Sequence, residues 1–233
     1  MPIASPTPPA DLWVVIAAYN EEPRLGATLA GLRDRGYENV VVVDDGSRDR
    51  THEVALGSGV WVLRHLINLG QGAALQTAIR FALLRGAATI VTFDADGQHD
   101  PDQIPAVAGP VRDGTAEVAL GSRFLGRAEN IPFSRMLVLK GGVVFTRLFS
   151  GIKVTDTHNG FRAFSRAAIE KIKITQNRMA HASEILDQVQ SLGLRYVEVP
   201  VTIRYSAETT AKGQSSWNAV KIVAQLLLGR FVR

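Results

Sequence analysis

The sequence contains no cysteine among its 233 residues, so disulfide bonds and thiolate metal sites are excluded. It also lacks an apolar run of the roughly 20 residues that a membrane-spanning helix requires. The excess of positive charge is small, at +4, and no dense block of Lys and Arg occurs, so we expect no nucleic-acid partner. A mild basic excess suits nucleotides, phosphates or acidic lipids instead.

The composition and the patterning predict a single folded domain with two appendages. A hydrophobic fraction of 46% is enough for the core of one α/β domain. We expect a flexible Pro-rich leader at residues 1–10, one domain at residues 11–216 and an amphipathic helix at residues 217–233. The leader lacks the layout of a signal peptide, and a chain without cysteine suits the cytosol.

Apolar strand-like segments alternate with helix-like segments through the first half of the chain. We predict strands at Leu12–Ala18, Val40–Val43, Val60–Arg64, Thr89–Phe93 and Ala116–Leu120. This alternation is typical of a parallel sheet covered by helices on both faces. After about Gly121 it stops. A helix near Ala182–Leu192 and short strands at Tyr196–Val199 and Val201–Tyr205 are predicted beyond it.

Polar side chains cluster at the predicted carboxyl ends of the strands, where ligands bind in parallel sheets. The clusters are Tyr19-Asn20-Glu21, Asp44-Asp45, Asn68 and Asp94-Ala95-Asp96. Hard divalent cations prefer oxygen ligands, so Asp94 and Asp96 predict a site for Mg²⁺ or Mn²⁺ that is completed by substrate phosphates. Gln98 and His99 follow closely enough to support that site. The alternative is a polar turn at the strand end that is closed by an Asx hydrogen bond.

Two further segments allow either a ligand contact or a structural role. Asp44 can hydrogen-bond a base and a ribose, whereas the same turn can cap a helix through Ser47. Gly72 follows a predicted turn, where it can approach a phosphate or permit close backbone packing at the start of a helix.

Arginines follow the fifth predicted strand. Arg123, Arg127 and Arg135 carry planar guanidinium groups that suit phosphate oxygens, or they form a solvated basic face. Arg162 lies among polar, glycine and aromatic residues, which favours a functional role. His158 and His181 are expected to be structural.

Together these segments resemble the inverting family-2 glycosyltransferases of GT-A fold, over about Leu12 to Ser216. The resemblance rests on the runs VVIAAYNEE, VVVDDGS, NLGQG, FDADGQHDP, GSR and NGFR. The branch that is most similar is that of the polyprenyl-phosphate (dolichyl-phosphate) mannosyl- and glucosyltransferases. It implies transfer of a hexose from a GDP- or UDP-sugar to a lipid phosphate, with a divalent metal.

The resemblance also implies roles for individual residues. The residues expected to bind the donor are Ala18, Tyr19, Glu21, Asp44, Asn68, Gly72, Asp94, Ala95 and Lys212. Asp94, Asp96 and Gln98 are expected to hold the metal. Arg123 and Arg135 are expected to hold the acceptor phosphate.

The candidate catalytic residues are Asp96, Asp156, Arg162 and Glu184. Arg162 and Lys212 can stabilise the negative charge of a departing diphosphate. A phosphate monoester, with a second pKa of about 6, is already a nucleophilic dianion near neutrality and needs no base. If the acceptor is instead a sugar hydroxyl in a cell-surface polysaccharide, Asp156 and Glu184 are the candidate bases. A non-catalytic nucleotide-sugar-binding subunit of a membrane complex is the third alternative.

We expect a peripheral position on the inner face of the cell membrane, with a lipid surface or a small membrane protein as partner. In residues 217–233, the apolar side chains of Val220, Val223 and Leu227 can share one helical face, and Lys221 and Arg230 fall towards other sides. Such a helix can lie among lipid headgroups, or its apolar face can pack on the domain.

Deleting residues 217–233 should reduce binding to anionic liposomes and leave nucleotide affinity intact. Because headgroup attraction is screened by salt, binding of the full chain should weaken as ionic strength rises. Liposome flotation and calorimetry measure the two quantities. Unfolding of the truncated protein, or a full chain that does not bind liposomes at low salt, would contradict the interfacial interpretation.

Overall fold

The computed structural model describes residues 8–131, 133–178 and 180–205. Lys212 and the predicted helix at residues 217–233 lie outside the described residues, as does most of the predicted leader.

A sheet of seven strands forms the centre of the described chain. The strands are β1 (Leu12–Ala18), β2 (Val40–Asp44), β3 (Trp61–Arg64), β4 (Thr89–Thr92), β5 (Val118–Glu129), β6 (Arg162–Ser165) and β7 (Tyr196–Arg204). Their order across the sheet is β3-β2-β1-β4-β6-β5-β7. Strand β6 is antiparallel to β4 and β5, and the other neighbouring pairs are parallel.

The mostly parallel α/β sheet is confirmed, with three corrections. Strand β5 runs to Glu129, although the predicted strand ends at Leu120. Sequence analysis did not predict β6, which separates β4 from β5. It also predicted two short strands where the single strand β7 runs, because Pro200 interrupts the apolar pattern. Pro200 is tolerated there because β7 lies at the edge of the sheet.

Helices cover both faces of the sheet. They are α1 (Glu22–Arg33), α2 (Thr51–Gly57), α3 (Gln71–Leu84), α4 (Ile104–Arg112), α5 (Phe133–Ser150), α6 (Arg166–Ile169) and α7 (His181–Ser191). Val14 and Ile16 of β1 pack in one core with residues of α1 and α4, and Trp13 and Val15 pack in the other with residues of α3 and α7. Because successive side chains of a strand point to opposite faces, a strand buried on both sides reads as one apolar run.

The parallel register aligns the strand ends that carry the polar residues. Ala18 at the end of β1 is paired with Asp44 at the end of β2, and Val15 of β1 is paired with Thr92 at the end of β4. The segments that follow β1, β2 and β4 therefore leave the same edge of the sheet. None of the helices within the described ranges is long and apolar enough to cross a membrane.

Gly72 at the start of α3 serves close backbone packing. Its amide donates to the carbonyl of Asn177 at 2.8 Å. A Cβ at this position would overlap the carbonyl oxygen of Gln176. The amide is thus occupied by the chain itself, which favours the packing alternative over a phosphate contact.

We expect Gly72→Ala to destabilise the fold by about 1–3 kcal/mol, the usual cost of overpacking. Gly109→Ala in α4 is the matched control, since an added Cβ there meets nothing within 4 Å. The control should be neutral or stabilising by up to about 1 kcal/mol. Urea denaturation measures both, and equal effects of the two substitutions would contradict the packing role.

Candidate functional site

Two carboxylates stand together after β4. Asp94 Oδ2 accepts a hydrogen bond from His99 Nε2 at 2.9 Å, and Asp96 Oδ1 accepts one from the Gln98 amide at 3.0 Å. Burial and then the charge of Asp94 raise the pKa of Asp96 to about 6. Burial opposes the charge of Asp94, but the charge and hydrogen bond of His99 lower the pKa of Asp94 below its usual value.

This pair suits a divalent cation. Two carboxylates whose charges repel each other in a half-buried site would both be stabilised by a shared cation. Among the described residues no group of three or more acidic or His side chains forms a metal site. A cation at Asp94 and Asp96 would accordingly take further oxygens from substrate, as Mg²⁺ commonly does. Gln98 contributes its backbone to the local structure, since its carbonyl accepts from the Arg204 amide at 3.1 Å.

Asp44 at the end of β2 is fully buried. Its Oδ1 accepts from the Ser47 amide at 2.9 Å, and its Oδ2 lies 3.0 Å from Nε of Arg64. The expectation that Ser47 caps a helix is wrong, because α2 begins at Thr51 and Ser47 Oγ instead accepts from the Asn20 amide. Asp44 is therefore paired with Arg64, whose own side chain is about half exposed while the carboxylate itself is closed off from solvent.

Asp45 holds the loop that carries Asn68. Its two oxygens accept from the amides of Leu69 at 3.0 Å and Gly70 at 2.7 Å, and His65 Nδ1 lies 2.7 Å from Oδ1. Asn68 itself is exposed. The structural role of Asp45 was missed by sequence analysis, although an acidic residue beside a Gly-containing loop was the available signal.

The remaining residues that were predicted to bind the nucleotide sugar differ in their exposure to solvent. Tyr19 is 40% exposed, and Glu21 pairs with Arg24 at 2.7 Å. Ala18 and Ala95 are buried, and their carbonyls accept from the Asp45 amide at 2.8 Å and the Thr28 hydroxyl at 3.3 Å. The two alanines thus fix the ends of the strands through the hydrogen bonds that their carbonyls accept.

Arg123 and Asp156 form a buried ion pair. Asp156 Oδ2 accepts from Arg123 Nε at 2.6 Å and from the Arg123 amide at 3.1 Å. A guanidinium nitrogen of Arg123 also donates to the Tyr205 hydroxyl. Burial opposes the charge, but Asp156 and Tyr205 raise the pKa of Arg123 above its usual value. The second oxygen of Asp156 accepts from the His158 amide at 3.3 Å.

The other predicted arginines are placed differently. Arg127 is exposed, as the solvated-face alternative requires. Arg135 lies on α5, and its side chain is outside the described part of the structure. Arg162 is buried and donates to the carbonyls of Asn159 at 2.9 Å, Thr157 at 3.2 Å and Ala182 at 3.3 Å. Burial lowers the pKa of Arg162 to about 10, so the group remains a fixed positive charge at neutrality.

Glu184 anchors a loop. Both of its carboxylate oxygens accept hydrogen bonds from Thr175 or Gln176, including the amides of both residues at 2.9–3.2 Å. These bonds engage Glu184 in holding the segment that precedes α7.

Gly160 is a neighbour of Asp94 that sequence analysis did not single out. A Cβ at Gly160 would lie 2.5 Å from Asp94 Oδ1, so the backbone of Gly160 packs directly against the carboxylate. Thr92 at the end of β4 donates to the carbonyl of Gly160 at 2.6 Å, which fixes this approach. The signal in the sequence was the glycine before the aromatic residue and Arg162.

Comparisons with known proteins agree with this geometry. The family described as "Glycosyl transferase family 2" matches residues 13–173. A UDP-N-acetylglucosamine–dolichyl-phosphate N-acetylglucosaminyltransferase of Methanococcus voltae is 32% identical over 238 residues, covering 93% of this chain and 95% of the relative. An undecaprenyl-phosphate mannosyltransferase of Micrococcus luteus is 35% identical over 199 residues, covering 81% of each.

A solved structure shares the fold. Glucosyl-3-phosphoglycerate synthase from Mycobacterium tuberculosis, in complex with Mn²⁺ and UDP-glucose, aligns with a TM-score of 0.71 at 19% identity, covering 93% of this chain and 76% of that one. The expected GT-A fold is confirmed by this likeness, and the expected family by the match over residues 13–173. The chain belongs to glycosyl transferase family 2.

Proposed function

We propose that this glycosyltransferase moves a hexose from a GDP- or UDP-sugar to a polyprenyl-phosphate-type lipid, with inversion and with a divalent cation. Relatives that cover most of the chain are named as transferases to dolichyl and undecaprenyl phosphate, which supports the acceptor class. The neighbour crystallised with Mn²⁺ and UDP-glucose supports the metal and the donor class.

One observation about the site carries the choice of acceptor: both candidate bases are engaged. Each oxygen of Asp156 accepts hydrogen bonds, from Arg123 or from the His158 amide, and each oxygen of Glu184 accepts from Thr175 or Gln176. A sugar hydroxyl needs a general base, whereas a phosphate monoester is a dianion near neutrality. The geometry therefore favours a phosphate acceptor over a hydroxyl.

The proposed donor site and the proposed acceptor site lie on opposite sides of β6. On the donor side, Asp94 and Asp96 lie where the diphosphate would be held, and a bound cation would neutralise that leaving group. On the other side, the proposed contact of the acceptor phosphate is Arg123, whose charge is balanced by the buried Asp156 in this structure. An oxygen of that phosphate bonds to the anomeric carbon as the bond from this carbon to the diphosphate oxygen breaks, which releases the nucleoside diphosphate.

The proposed place of action is the inner face of the cell membrane, because a polyprenyl phosphate presents its headgroup at a membrane surface. A mildly basic chain, with a net charge of +4, is compatible with anionic headgroups. Lys212, Arg135 and Asn68 remain proposed contacts of the donor or the acceptor phosphate.

The purified chain should glycosylate polyprenyl phosphate and leave the matching polyprenol unmodified, because only the phosphate is ionised without a base. Mass spectrometry of products, with a panel of UDP- and GDP-sugars and either Mg²⁺ or Mn²⁺, measures this. Excess chelator should abolish the product. Transfer to the alcohol but not to the phosphate, or full activity in chelator, would overturn the proposal.

Glu184→Gln should lower kcat by less than about tenfold, since removal of a true general base costs about 10²–10⁴-fold. Loss of hydrogen bonds to Thr175 and Gln176 should lower stability by about 1–3 kcal/mol. Glu170→Gln is the control, because that exposed carboxylate pairs with surface Arg166 at 2.9 Å and, within the described ranges, with no residue of the site. A drop of 100-fold or more in kcat, at unchanged stability, would identify Glu184 as the base.

A further inference from the structure

His99 is the buried polar side chain that contacts the acidic pair most directly. Its ring is 6% exposed and packs against Phe93 and Phe161, with ring centroids 5.3 Å and 4.9 Å away. Nε2 lies 2.9 Å from Asp94 Oδ2. A carboxylate can only accept, so Nε2 carries the hydrogen of this bond.

The second ring nitrogen is used by nothing in the described ranges. Nδ1 of His99 is buried and has no hydrogen-bond partner there. A buried polar atom without a hydrogen-bond partner lowers the stability of the folded protein. Packing alone therefore does not explain why a histidine occupies this position. The reason that the geometry offers is the bond to Asp94. The enclosed Nδ1 and the engaged Nε2 also leave the ring without a nitrogen for a cation, which excludes His99 as a direct ligand.

Two groups contact the Asp94 carboxylate. His99 donates to Oδ2, and the backbone of Gly160 packs against the whole carboxylate, where an added Cβ would stand 2.5 Å from Oδ1 and 2.7 Å from Oδ2. Asp96, by contrast, accepts from the Gln98 amide within its own turn. The two carboxylates thus differ: the orientation of Asp94 is set by the His99 ring and by Gly160 from a distant part of the sequence, and that of Asp96 by the backbone of its own turn.

The residues around His99 are tied to β7. His99 and Ile203 form an isolated antiparallel bridge. The Arg204 amide donates to the Gln98 carbonyl at 3.1 Å, and the Thr202 amide donates to the Gln103 side chain at 3.0 Å. These bonds connect the turn after β4 to an edge strand of the sheet. They fix the backbone around His99, and the two phenylalanine rings fix its side chain.

We propose that His99 is a positioning residue for the metal site: its Nε2–H fixes the Asp94 carboxylate in the orientation that accepts a divalent cation. The inference rests on the proposed function, since it takes Asp94 and Asp96 as the ligands. Partners that orient a ligand in this way typically contribute about 10–100-fold to metal affinity.

The test measures binding of Mn²⁺ alone to the full chain, by electron paramagnetic resonance of the free ion, so that no turnover is needed. His99→Leu removes the donor, and its dissociation constant for Mn²⁺ should rise by about 10–100-fold. His99→Gln keeps an N–H donor and should recover most of that loss. A purely structural role would instead lower the thermal midpoint of both variants without separating their Mn²⁺ affinities.

Gly160→Ala provides a second arm, because the added methyl group would displace the same carboxylate while the His99 ring stays unchanged in sequence. It should also weaken Mn²⁺ binding by tenfold or more, and it decides the question if His99→Leu does not fold. Wild-type affinity in whichever of these two variants folds would overturn the inference.

Asp96→Asn separates this inference from the proposed function. If the wild type binds Mn²⁺ and Asp96→Asn does not, the proposed metal site is supported independently of the role of His99. If the wild type itself fails to bind Mn²⁺, both alone and with UDP or GDP, the proposed metal site fails together with the role of His99.

Discussion

Arg123 and Asp156 carry opposite charges in a region from which water is excluded, so neither can be removed without leaving the other unpaired. Breaking such a pair costs roughly 3–5 kcal/mol. Asp156 opens the segment that leads through Gly160 into β6, and Gly160 packs against Asp94. The ion pair thereby fixes the proposed acceptor side of the site and, through the same stretch of chain, the backbone beside the proposed metal ligands.

Acidic side chains lie on one side of β6, and an arginine lies on the other. Asp94 and Asp96 follow β4 on one side, and Arg123 projects from β5 on the other. Arg162, at the start of β6, adds a positive charge that three backbone carbonyls hold in place. A diphosphate beside Asp94 and Asp96 would meet carboxylates of its own sign, so a divalent cation held by this pair would have to supply the positive charge that the leaving group requires.

The sequence predicted what depends on local pattern. β1 was placed correctly at both ends, because a strand buried on two faces is a continuous apolar run. Asp94 and Asp96 were singled out as candidate ligands because they follow such a strand. β6 was missed, since its four residues have no period of their own and owe their conformation to antiparallel pairing with β4 and β5. Gly72 was also ambiguous, because its close neighbour, Asn177, lies about a hundred residues further along the chain.

β3 is the edge of the sheet beside β2, and both of its ends, Trp61 and Arg64, are exposed. Edge strands that bury few apolar contacts open first in native-state hydrogen exchange, whereas β1, shared by two cores, opens only with the whole domain. Arg64 is the partner of the buried Asp44, so fraying of β3 would uncover that carboxylate while the rest of the sheet stays intact. The local opening equilibrium of one short strand thus sets how often Asp44 meets solvent.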